Sequence, residues 1–284
     1  MATVELNIVT SGKVSGGLKR DIENIFRDCY RRFVPRVPYK VEIHIVDKES
    51  NMGALLKEDK IRLGITSGGD DEFICSHDAW RGYPRVICCV EKLAKLNRLA
   101  RPGAVRHEAA HSALHGSPEY YIFRIPDDCR RTAEIKSLGS PVMDQALYYV
   151  SVAVKDFEAT RFLVQHDFIG CQFAFALGWI KPSEQDKSAW KLAQTNRQTK
   201  FLYLTTLLKP VLFAHPLLAL PRSSKGISLD HQVQLARRIE ELLEHLGGAE
   251  ESKLLQVANI IVEDATEDTH KNVDSAMHQA MNLA

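Results

Sequence analysis

His107, Glu108 and His111 stand in the order H-E-x-x-H within V105RHEAAHSALHG116. On a helix, residues four apart share a face, so both imidazoles reach one small cation. Glu108 is displaced by one residue from the first histidine and can contact a water beside that cation without taking a ligand position. A zinc ion there would polarise a carbonyl and lower the pKa of the water, while the Glu108 carboxylate accepts the water's proton and passes it to a leaving amine. The competing reading is the polar face of an ordinary helix. Against it, Val105, Ala109, Ala110, Ala113 and Leu114 bury part of the stretch, and the small alanines admit close neighbours.

A catalytic zinc needs a third protein ligand and an open position. His115 lies one further turn along the same helix, but histidines at i, i+4 and i+8 span about 12 Å and do not converge on one tetrahedral ion. It fits better as a cleft-lining residue or as an outer hydrogen-bond partner to a ligand carboxylate. Glu134, on a helical stretch over 130–138, has no supporting pattern and reads equally as a surface charge. Glu158, inside V154KDFEATRFLV164, is the preferred carboxylate; Asp156 beside it reads as a solvated charge or as an acceptor for an imidazole N–H. A developing oxyanion also needs a donor. Tyr120, Tyr121, Tyr148, Tyr149 and His166 are the candidates, with His166, two turns beyond Glu158, taken first as a catalytic residue.

H107EAAHSALHG116 followed by D156FEATRFLV164 resembles the zincin (HExxH) metalloproteases. More loosely it is similar to their ImmA/IrrE-type branch, whose later helix carries a pattern close to E-A-N-x-F-A. The resemblance spans residues 40–165. It implies His107, His111 and Glu158 as zinc ligands, Glu108 as general base, and a peptide or protein as substrate. Thr160 stands where the branch carries asparagine, and Phe162-Leu163 match its apolar pair.

The elements that must position these residues begin with an alternating strand over 3–10 and a helix over 16–34 whose Leu18, Ile22, Ile25, Phe26 and Phe33 recur at helical spacing. Tyr39, Val41, Ile43 and Ile45 predict a second strand with polar residues on its other face. KIRLGIT (60–66) reads as a short strand, S67GGDDEF73 as a turn, and P84RVICCVE91 as the strand before the histidine helix. Gly116, followed closely by Pro118, stops that helix. E119YYIFRIP126 reads as extended. The chain is helical from about residue 128, and P221RSSKG226 is a linker-like turn before three amphipathic helices. The expected fold is α+β: a zincin-like core with a small mixed or antiparallel sheet over 1–180, then a helical part over 181–284.

Composition sets the outer bounds. With 45% hydrophobic residues in 284, the chain fills a sizeable core. Its 37 basic and 36 acidic residues leave a net charge of +1, so no global field draws it to nucleic acid or anionic membrane. Six scattered cysteines and a strand-like start without an apolar leader predict free thiols and a cytoplasmic location. The apolar run 201–220 contains Lys209, Pro210, His215 and Pro216, and reads as two buried helical pieces with a kink and no stable membrane insertion. The C-terminal helices could recruit a protein partner, and the alternative to a zinc peptidase is a non-catalytic metal-containing interaction module.

Overall fold

The alternating stretches near the start of the chain become neighbouring parallel strands in the computed structural model, which describes residues 4–63, 73–221 and 229–284. β1 (Glu5–Ser11) is followed by α1 (Gly16–Arg32), β2 (Lys40–Val46), α2 (Glu49–Leu63), β3 (Cys75–Asp78), β4 (Arg85–Cys89), α3 (Val90–Ala94) and α4 (Ala100–Leu114). After a 3-10 turn at Pro118–Tyr121 come α5 (Asp127–Ile135), α6 (Ser140–Gln165), α7 (Ile169–Trp179), α8 (Glu184–Ala193) and α9 (Arg197–Leu218). α10 (Leu229–Leu243), α11 (Gly248–Glu263) and α12 (Thr269–Ala280) complete the chain. The fold class is α+β, with a mixed sheet, a helix bearing H107EAAH111 and a largely helical C-terminal region.

Two compact units divide these elements: Met1–Tyr121 with Ala159–Gly178, and Ile122–Glu158 with Trp179–Ala284. α6 is one helix that contributes residues to both. Residues 122–158, assigned by sequence to the 1–180 domain, cluster with the C-terminal helices.

In the first unit the strand order is β1-β2-β4-β3, with β1, β2 and β4 parallel. β3 runs antiparallel to β4 at the edge, setting Cys75 opposite Cys88 and Asp78 opposite Arg85. β4 is buried at every position, as an interior strand covered on both faces must be. Cys88 and Cys89 therefore point to opposite faces and are both inside. The polar face expected on β2 is not solvated. Glu42 is buried there and accepts hydrogen bonds from Tyr83 Oη (2.8 Å) and Arg81 Nη1 (3.3 Å), with His44 against its other side. Burial works against its charge, but the His44 and Tyr83 contacts outweigh it and hold the carboxyl below its usual range.

α4 is placed by what packs on it. Tyr30 on α1 has its hydroxyl 2.6 Å from Ser112 Oγ, and α7 comes in close at Gly103. A Cβ at that position would stand 2.3 Å from the Cys171 carbonyl oxygen, so only glycine permits the approach. Gln172 Nε2 donates to the Gly103 carbonyl at 2.9 Å and fixes the crossing.

Several expectations are corrected. Lys60–Leu63, expected to be a strand, form the last turn of α2; the remainder of that stretch and the turn over 67–72 lie outside the described residues. E119YYIFRIP126 opens with a 3-10 turn, and the linker over 222–226 also lies outside the described residues. The run 201–220 is not two pieces. α9 passes through Pro210 and Pro216 as one helix, although an interior proline costs about 3 kcal/mol. Burial of Phe201, Leu204, Leu208, Leu212, Phe213 and Leu217 supplies the offset.

The second unit is built around that helix, with α8, α10 and α11 against it. Among the described residues α9 is the one helix long and apolar enough to cross a membrane, and over half of its most apolar window is already buried inside the protein. That burial is what a core helix shows. Its neighbour α8 starts at a capping box formed by Ser183 and Asp186, while Asn196 caps α9 itself and so breaks the polar helix expected over 182–200.

Candidate active site

His107 and His111 lie on α4 one turn apart and are both buried. Their Nε2 atoms are 3.0 Å from each other. That is close to the separation required when two imidazoles each stand about 2.0–2.1 Å from one ion. The second nitrogen of His111 is held too: its Nδ1 is 3.1 Å from Nδ1 of His115, which is fully buried at the end of α4. With the His111 Nδ1–H donating, its Nε2 lone pair is left facing His107, the tautomer a metal ligand needs. His115 thus stands beside an imidazole, not beside a carboxylate.

Asp156 on α6 is buried. Asp156 is therefore not a solvated charge. It sits on α6, three residues before the portion of that helix belonging to the first unit, and Lys209 Nζ lies 3.6 Å from its Oδ2.

Glu158, the carboxylate inferred from the family resemblance, is also buried, but its oxygens are engaged within the second unit. Oε2 accepts from Thr269 Oγ1 at 2.8 Å and Oε1 from Asn272 Nδ2 at 2.5 Å. Glu134 is exposed. His166 packs its ring against Phe162 and Phe33, with Nδ1 donating to the Phe162 carbonyl at 2.8 Å. Tyr148 and Tyr149 pack on each other, and Tyr120 lies edge-on to His115.

Beside the HExxH residues stands one the sequence did not single out. His77 on β3 stacks flat on His111, with ring centroids 4.5 Å apart and planes 7° from parallel. Its Nδ1 is 3.9 Å from Glu108 Oε2 and its Nε2 is 2.5 Å from the Tyr121 hydroxyl. Burial, then the Asp78 and Glu108 carboxylates, push the Tyr121 phenol well above its usual range, and Nδ1 is the ring nitrogen of His77 that faces Glu108. His77, Glu108 and His111 likewise gather ligand-type atoms within 4.8 Å. The edge strand is held by Arg85, whose Nε and Nη2 reach Asp78 Oδ2 at 3.0 and 2.7 Å, both side chains buried.

Comparison with known proteins returns no match: no family model, no curated protein and no solved structure matches this chain. The residues themselves define the class of site. The buried His107-Glu108-x-x-His111 arrangement on α4 matches an HExxH zincin-type metal-binding site. Two imidazoles at that spacing are donors suited to zinc, which takes further ligands beside them. The arrangement is consistent with metal-activated hydrolysis.

Proposed function

We propose that the protein is a zinc-dependent peptidase that hydrolyses a peptide bond with Glu108 as general base. The single observation that carries this reading is the approach of the buried His107 and His111 Nε2 atoms to 3.0 Å, with Glu108 between the two histidines in sequence. In this reading His107 and His111 hold the ion and a carboxylate of α6 completes the set, Asp156 being preferred because Glu158 is already engaged by Thr269 and Asn272. Zinc bound there supplies Lewis acidity, polarising a carbonyl and lowering the pKa of water.

Glu108 takes the proton from the attacking water and hands it to the departing amine. His77 Nδ1 lies 3.9 Å from the Glu108 carboxylate, and Tyr121 holds the other ring nitrogen of His77. His166, the residue first taken for oxyanion stabilisation, has its Nδ1 turned back to its own helix, so His77 and Tyr121 are the better-placed proton-bearing groups. The free thiols of all six cysteines support a cytoplasmic location.

The test is hydrolysis of a peptide library by the zinc-loaded chain and by Glu108→Gln. The substitution should leave zinc bound and abolish turnover. Turnover retained in Glu108→Gln would remove Glu108 as the base.

A further inference from the structure

The helical second unit carries another constellation of metal-binding side chains. Asp128 and Cys129 open α5, and His278 sits in the last turn of α12, 150 residues away along the chain. One ligand atom from each lies within 4.8 Å of the others.

His278 presents one ring nitrogen to the Asp128 carboxylate. Its Nδ1 is 2.7 Å from the Asp274 carbonyl oxygen, which only accepts, so Nδ1 carries a proton. Its Nε2 is 2.6 Å from Asp128 Oδ2, an acceptor again. A metal ion held by both would take the Nε2 lone pair and a carboxylate oxygen. An Nδ1–H bonded to a backbone carbonyl, with Nε2 presented outward, is the arrangement that orients metal-bound histidines.

Cys129 decides which cation the set suits. A proton needs no sulfur, whereas imidazole, carboxylate and thiolate together are the mixed donors that zinc and its neighbours in the first transition row take. The Cys129 side chain is buried while Asp128 and His278 are exposed, so an ion would enter from solvent and settle onto the sulfur. A divalent ion bound there displaces the proton from sulfur.

We propose that Asp128, Cys129 and His278 form a second site for a divalent ion of zinc's class, one that clasps α5 to α12. Binding forms a metal–sulfur bond and releases the thiol proton to solvent, with no change of oxidation state.

Cobalt(II) titration of the chelator-stripped chain tests this, because the HExxH site contains no cysteine. A thiolate-to-cobalt charge-transfer band in the near ultraviolet reports only a sulfur-ligated ion. The band should grow with a second equivalent of cobalt and disappear in both Cys129→Ser and His278→Ala, while the first equivalent binds as before. His278 is exposed, so its substitution tests the site without disturbing the core. A titration without the band, or a band that survives His278→Ala, overturns the proposal. Failure at the HExxH site would look different: the band would appear with the first and sole equivalent.

Discussion

His77 lies flat on His111, centroids 4.5 Å apart, while its Nε2 meets the Tyr121 hydroxyl at 2.5 Å. A residue from the antiparallel edge strand thereby braces a proposed zinc ligand and faces the proposed base. Replacing His77 with Phe, or Tyr121 with Phe, should leave metal stoichiometry intact and lower hydrolysis by about 10–100-fold, the usual effect of losing an outer partner. Steady-state rates on zinc-loaded variants check it; unchanged rates in both would leave the pair a packing contact.

Glu108→Gln keeps the size and burial of the side chain and removes its basicity. The loss in turnover should be about 10²–10⁴-fold at unchanged zinc content, read by peptide hydrolysis beside elemental analysis.

Asp156 and Glu158 are two residues apart on α6 and separate cleanly by experiment. Asp156→Ala should weaken zinc by more than the about 10–100-fold typical of an outer partner. Glu158→Ala should leave zinc affinity unchanged and destabilise the fold by about 1–3 kcal/mol, because Thr269 and Asn272 lose a buried acceptor. Zinc titration and denaturant unfolding of both variants decide the assignment. The opposite pattern would restore Glu158 as the ligand.

The histidine helix was legible in sequence because its chemistry is local: a spacing of four on one helix places two imidazoles together whatever surrounds it. The parallel strands were legible for the same reason, since Leu6, Ile8, Val41, Ile43 and Ile45 alternate. What could not be read depends on long-range pairing. β3 is four residues long, too short for an alternation to register, so S76-H77-D78 gave no sign that it supplies His77. Asp156 and Glu158 look alike in sequence, and only α12, more than 100 residues on, distinguishes them by engaging Glu158. Lys60–Leu63 carry a strand-like pattern, and helix context overrode it.

Arg85 and Asp78 are a buried pair joining β4 to the edge strand that carries His77. Removing one partner strands the other charge, so Asp78→Ala should cost about 3–5 kcal/mol in unfolding free energy. Paired replacement by apolar residues of similar volume should recover much of that loss, as urea unfolding of the single and double variants would show.

The most direct test is elemental analysis of the untagged chain purified without added metal, run beside His111→Ala. Near-stoichiometric zinc bound at the HExxH residues, lost from that site in the variant while the fold survives by circular dichroism, is the expected result. A chain that carries no metal and refuses added zinc, or a His111→Ala variant that holds its zinc as tightly as the parent, would contradict the metal centre on which the proposed function stands.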